Sequence, residues 1–239
     1  MKTKEIIREN VKNVTCRTKV VKVFILLLAT LLLISNTSIA LAQAHYYAIG
    51  YVQPLSSSQD FLGGYAQWKT PQMYTTVDGG FTSQVLWVTT QERMDTWVEV
   101  GLTKGWKGNN DVWTMYWAEN TPTYNEYQVT SISPGSAGTL HHYQAQYDAW
   151  NTWGIYIDYT KVGTLTQSAG SMEVDVGGEI TSSQNTLTPT YPQYMQVLDK
   201  ANSWHYWGDY GHVYSYSDSP FIWEWQDPGT YKLGKDYKQ

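Results

Sequence analysis

The run Trp97-Val98-Glu99-Val100-Gly101-Leu102 alternates with a period of two, the spacing of a strand with one buried face. Val98, Val100 and Leu102 fall on one side, and Trp97, Glu99 and Gly101 on the other. Further along, Val174-Asp175-Val176-Gly177-Gly178-Glu179-Ile180 repeats the arrangement. Val174, Val176 and Ile180 point one way, and Asp175 and Glu179 the other. A carboxylate that shares its face with an indole and a glycine does not belong to an ordinary solvated row. The glycine leaves space beside it, and the indole lowers the local dielectric.

Short alternating runs of this kind recur along the chain. They predict strands over Gly64–Trp68, Gln84–Thr89, Thr96–Thr103, Val112–Ala118, Glu126–Ile132, His142–Tyr147, Trp153–Tyr159, Met172–Thr181 and Pro220–Trp225. Turn signals separate them, among them Asp78-Gly79-Gly80, Gly108-Asn109-Asn110-Asp111, Ser133-Pro134-Gly135 and Asp227-Pro228-Gly229. The 12 tryptophans and 20 tyrosines, with many Thr, Ser, Gly and Val, favour strands and turns. No window carries a helical period. Many short antiparallel strands in one domain predict an all-β fold, a β-sandwich or barrel. No linker, low-complexity tract or internal repeat divides the chain.

Residues 1–44 read as a secretory signal peptide. A basic stretch from Lys2 to Lys22 precedes an apolar run from Val23 to Ile34, and small residues close it at Ala42-Gln43-Ala44. The expected mature protein is one domain, 45–239, secreted and without stable membrane association after cleavage. The single cysteine, Cys16, falls inside the leader, so no disulfide framework is expected. The whole chain has 16 basic and 21 acidic residues; the leader carries seven and two of them, which leaves 9 against 19, a net charge of −10. Nucleic acid is therefore not an expected partner, because phosphate binding needs clustered Lys and Arg. A polymeric or peptide substrate and a monomeric state are expected instead.

Motifs for other chemistries are missing from the sequence. The five histidines, His45, His141, His142, His205 and His212, form no zinc motif. There is no Gly-x-Ser-x-Gly, no catalytic cysteine after cleavage and no Gly-rich phosphate loop. No metal or cofactor is expected, and acid–base work by carboxylates remains. Two carboxyl groups in a partly apolar groove repel each other, so that one pKa rises while the other stays low. One can then activate water while the other protonates a leaving group. Trp113, Met115 and Trp117 alternate along one face of their strand, and Val112, Thr114, Tyr116 and Ala118 along the other. Which face is open is not written in the pattern; Trp113 and Trp117 are taken as groove lining. The same features suit two other functions, a carbohydrate- or surface-binding module and a two-carboxylate glycoside hydrolase.

The order of short motifs resembles the neprosin family of glutamic peptidases. It runs Ser83-Gln84…Trp87-Val88, Val98-Glu99-Val100-Gly101, Tyr116-Trp117-Ala118, Trp153-Gly154-Ile155-Tyr156-Ile157 with Val162-Gly163, then Gly177-Gly178-Glu179-Ile180. The likeness covers roughly Gly79 to Ser183. It implies an antiparallel β-sandwich similar to the fungal glutamic peptidases and, more distantly, to concanavalin-like lectins and glucanases. It further implies a catalytic pair at Glu99 and Glu179, and cleavage of peptide bonds at acid pH, including sites beside proline. Gln84 and Trp97 are the expected positioning groups, Gln84 as an amide offered to the developing oxyanion. Unlike plant-type members, the stretch after residue 44 has no cysteine. The segment after Ser183 has no counterpart in the motif order.

Overall fold

The computed structural model describes residues 44–56, 59–76, 80–90, 96–105 and 112–239, and the expected leader lies outside them except for its last residue, Ala44. Alternating side chains sort the chain into strands with one face turned inward. In chain order these are β1 (Tyr46–Pro54), β2 (Gly63–Lys69), β3 (Met73–Tyr74), β4 (Thr82–Thr89), β5 (Trp97–Lys104) and β6 (Trp113–Thr121). Next come β7 (Tyr124–Val129), β8 (Leu140–Ala149), β9 (Thr152–Ile157), β10 (Thr160–Thr166), β11 (Val174–Ile180) and β12 (Thr186–Leu187). The chain closes with β13 (Gln193–Leu198), β14 (Trp204–Tyr206), the one-turn helix α1 (Trp207–Tyr210), β15 (Gly211–Ser217), β16 (Phe221–Trp225) and β17 (Gly234–Lys238).

Two antiparallel sheets make a β-sandwich, one of the two architectures the alternation allowed and the one the resemblance implied. The first has seven strands in the order β15-β1-β11-β4-β5-β6-β7, and the second six in the order β10-β9-β8-β2-β13-β14. Every predicted strand matches an observed one in place, although Glu126–Ile132 is shifted against β7. The inward residues of the first sheet are the apolar sets anticipated above. Val98, Val100, Leu102, Val174, Val176 and Ile180 are all fully buried. Burial of each such side chain contributes about 2 kcal/mol. From the second sheet, Trp68 and Tyr143 stack with ring centroids 3.8 Å apart, both fully buried. Gly64 lets β2 lie close over the first sheet, since a Cβ there would stand 2.6 Å from Val174 Cγ1.

The C-terminal segment is built into this frame. β13 and β14 extend the second sheet, while β15 pairs with β1 at the edge of the first. The β16–β17 hairpin packs Trp223 into a notch at Gly50, where a Cβ would lie 2.4 Å from the indole. Phe221 rests in the same way on Gly178, 2.7 Å from where a Cβ would be.

Candidate active site

Register across the first sheet decides which residues share its outer face. Glu99 on β5 stands opposite Trp87 on β4 and Ala118 on β6. Glu179 on β11 stands opposite Ser83 on β4 and Tyr47 on β1. Both glutamates therefore flank β4 on the side turned away from the core. Between their rows runs Gly177–Val85–Gly101–Tyr116, strand by strand. Val85, Tyr116, Ala118 and Trp87 form a small apolar cluster of their own there, separate from the main core. The two glycines serve backbone packing as well as space. A Cβ on Gly101 would lie 2.2 Å from the Gln84 carbonyl oxygen, and one on Gly177 2.1 Å from that of Ala48.

Glu99 is only 5% exposed. Its Oε2 accepts hydrogen bonds from Trp87 Nε1 at 2.6 Å and Trp97 Nε1 at 3.4 Å, and Tyr116 also bonds to the carboxyl group. These donors favour the ionised form, but burial and the negative charge of Glu179 outweigh them. The net result is a pKa pushed up from 4.5 to about 7, with burial the largest cause. Glu99 thus holds its proton through the acid range.

Glu179, 8% exposed, has a different partner. Its Oε1 pairs with His45 Nδ1, and this contact raises the imidazole pKa above 6.5. Tyr47 lies beside both, its hydroxyl 3.4 Å from His45 Nδ1. Burial, then Glu179, raise the Tyr47 phenol far above its ordinary value, which keeps it a proton donor. Tyr116, likewise held neutral by burial and by both glutamates, bonds to Ser83 as well as to Glu99. It therefore links the rows of the two carboxyls. The arrangement sets a protonated carboxyl group and a cation-paired carboxylate on one aromatic-walled face, the prerequisites for concerted acid–base chemistry.

Glu99, Glu179 and Trp97 come together on this face as the pattern anticipated. Three other expected residues do not, and the sheet register explains each. Gln84 pairs with Leu102 and Gly178 and so faces inward, fully buried. Its Nε2 donates to Asp236 Oδ2 at 2.7 Å, so it is not an oxyanion donor on the Glu99 face. Burial pushes the Asp236 carboxyl up to about 8. Trp113 and Trp117 are not groove lining either. They alternate with Thr114, Tyr116 and Ala118 and pack against the main core. A Cβ on Gly163 of β10 would lie 2.5 Å from the Trp117 indole, so Trp117 closes the sandwich edge. Trp87, Tyr116, His45 and Tyr47 were missed as site residues. Trp87 and Tyr116 did fall inside the quoted motifs Trp87-Val88 and Tyr116-Trp117-Ala118, whereas His45 and Tyr47 lay outside every motif.

A second carboxyl pair occupies the same face, on the β1 side of Trp87. Gln53 Nε2 donates to Glu173 Oε2 at 2.5 Å, and Glu173 is hydrogen-bonded to Asp175. Burial and Glu173 raise the Asp175 pKa well above its ordinary value. Among the described residues no group of three or more His, Cys, Asp or Glu is gathered as a metal site. His205, for its part, pairs with Asp199 at 2.9 Å and stacks on Tyr210. Two hollows, of about 420 and 640 Å³, lie away from the glutamate pair.

No family model matches this chain, and no curated protein matches it. Solved structures do. Scytalido-glutamic peptidase with a transition-state analogue inhibitor superposes with a TM-score of 0.57 at 9% identity, covering 81% of this chain and 98% of that one. The same peptidase with a peptide-based transition-state analogue gives 0.53 at 12%, covering 82% and 98%. SCP-B, a member of the eqolisin family of peptidases in complex with the tripeptide Ala-Ile-His, gives 0.52 at 11%, again covering 82% and 98%. At these identities the likeness is one of fold. The chain has the β-sandwich architecture found in glutamic peptidases.

Proposed function

We propose that the protein is an exported glutamic-type endopeptidase that hydrolyses peptide bonds at acid pH. The observation that carries this reading is the pair Glu99 and Glu179 on one outer sheet face, with Glu99 protonated up to about pH 7. The glutamic-peptidase sandwich and the neprosin-like order of motifs support it. In this mechanism Glu179, held by His45, accepts a proton from the attacking water. Glu99 gives its proton to the departing amide nitrogen as the carbon–nitrogen bond breaks. The proton lost by Glu99 is restored from Glu179 or solvent, which resets the pair for the next turnover. Trp87, Trp97 and Tyr116 hold the Glu99 carboxylate once it forms. The substrate is an extended polypeptide, with sites beside proline included.

The test is turnover of a denatured protein or proline-rich peptide between about pH 3 and 5, below the raised Glu99 pKa, where Glu99 holds its proton. Glu99→Gln and Glu179→Gln preserve shape and remove ionisation. Each is expected to lower turnover by about 10² to 10⁴-fold with an unchanged circular-dichroism spectrum. Inhibitors of serine, cysteine and metal-dependent peptidases should leave the rate as it is. Wild-type protein inactive on every peptide across this range would refute the reading.

A further inference from the structure

The opposite side of the sandwich carries a second set of side chains that the carboxyl chemistry does not use. Across the outer face of the second sheet, one row reads Tyr156–Gln144–Tyr65–Gln196–Tyr206, strand by strand. Beside it Gln67 stands opposite His142. Aromatic and amide side chains alternate across five strands here, where an outer sheet face ordinarily carries scattered charges. The middle of the row, Gln144, Tyr65 and Gln196, floors a hollow of about 420 Å³, walled by Trp204, Tyr159 and Tyr194. That volume is in the range of small-ligand sites.

The rings are displayed rather than packed away. Tyr159 is 68% exposed and Tyr194 49%, and both sit on left-handed backbone, at φ 63° and 55°. For Tyr194 the cause is a break in register between Gln193 and Gln196, where β13 bulges against β2. Bulges of this kind re-aim a side chain, and a non-glycine residue held there costs of order 1–3 kcal/mol. The hydrogen bonds of the hollow are largely internal. Tyr65 and Tyr159 bond to His142 Nδ1 at 2.6 and 3.1 Å, and the Tyr65 hydroxyl donates to Gln67 Oε1 at 3.3 Å. They lock the rings in place before any ligand arrives.

We infer that this hollow is a binding site for a neutral glycan, independent of the carboxyl pair on the other face. None of the residues around the hollow is Lys, Arg, Asp or Glu, so an ionic ligand would find no counter-charge there. The apolar faces of sugar rings stack on Tyr65, Tyr159, Tyr194 and Trp204. Each glutamine amide offers two donors and an acceptor, which suits hydroxyl groups that both donate and accept. A proline-rich peptide would also lie well on such rings. Its backbone, however, presents mainly carbonyl acceptors, leaving the Gln144 and Gln196 carbonyl oxygens unmatched and costly to cover. The match with hydroxyls decides for the glycan.

Calorimetric titration of the full-length protein with neutral hexasaccharides of glucose, xylose, mannose and N-acetylglucosamine tests the assignment. At least one should bind with a dissociation constant of about 1 mM or tighter. Trp204→Ala should weaken it about tenfold or more. Tyr159→Gly should do the same, and this exposed left-handed position accepts glycine without loss of fold. Tyr74→Ala, at an exposed ring on another part of the surface, should leave binding unchanged. No binding by any hexasaccharide would overturn the inference, as would undiminished binding by Tyr159→Gly. Binding of decaproline in place of sugars, or concentration-dependent self-association abolished by Trp204→Ala, would assign the hollow to a peptide or to a second copy and refute the glycan.

Discussion

The two outer faces of this sandwich are made from the same strand mechanics and hold opposite chemistry. On the first sheet, Glu99, Glu179, Glu173 and Asp175 are each less than 10% exposed, lying among indoles and phenols. On the second, amides and rings stand open to solvent with no carboxylate around the hollow. The difference teaches that outward-facing is not the same as solvated. A carboxyl group on an outer face becomes reactive when bulky neighbours such as Trp87 and Tyr116 withdraw it from water. The phenols and amides that line the hollow on the other face have no carboxyl group among them and offer stacking and hydrogen bonding instead.

The contrast can be probed by substitution and by pH. One substitution concerns the inner side of β6. Trp117→Ala should cost roughly 2 kcal/mol of stability, because it empties a half-buried position that packs against the core beside Gly163. Peptide turnover per folded molecule should be nearly unchanged. Denaturant titration alongside the peptidase assay separates the two, and a specific loss of turnover with full stability would return Trp117 to the groove.

The pH dependence of stability should betray the buried carboxyls. Folded Glu99 and Asp236 titrate at about 7 and 8, against ordinary values of 4.5 and 3.8. Between those values the folded protein holds protons that the unfolded chain has released, so stability falls as pH rises from about 4 to 8. The slope is up to about 1.4 kcal/mol per pH unit for each such proton. The raised pKa of His45 acts in the same direction: its contribution is complete below 6.5 and is lost as pH passes the folded value. The lowered carboxyls, Asp148 and Asp199, lose their contribution only below about pH 4, outside this window. Thermal melts at pH 4.5 and 8 should therefore show the acid form melting several degrees higher. Equal melting temperatures would mean that the buried carboxyls are solvated.

A smaller effect should follow from Trp87→Phe. The indole N–H favours the Glu99 carboxylate, so its removal should raise the Glu99 pKa further and move the alkaline limb of the peptidase profile upward. A downward shift would show that the ring acts chiefly by excluding water.

Much of the sandwich was legible because alternation is a local signal. Val98, Val100 and Leu102 announced both a strand and its buried face, as did Val174, Val176 and Ile180. β15 was not legible, since an edge strand exposed on nearly every residue has no inward set to count. β13 hid for another reason, because its bulge interrupts the alternation. The site divided along the same line. Glu99 and Glu179 could be placed on outer faces from their own strands. Whether Trp117 or Tyr116 shared that face depended on pairing between strands, which the sequence of β6 does not state. The partnership of Gln84 with Asp236 joins residues from opposite ends of the domain, and nothing local points to it.

Burial and the charge of Glu179 together hold a proton on Glu99. Carbon-13 NMR titration of the glutamate side-chain carboxyls, with Glu99 assigned by loss of its signal in Glu99→Gln, measures this directly. The account predicts a Glu99 midpoint near 7 that drops when Glu179→Gln removes the neighbouring charge, while burial keeps it above 4.5. A Glu99 midpoint at the ordinary 4.5, or one that does not move in Glu179→Gln, would contradict it.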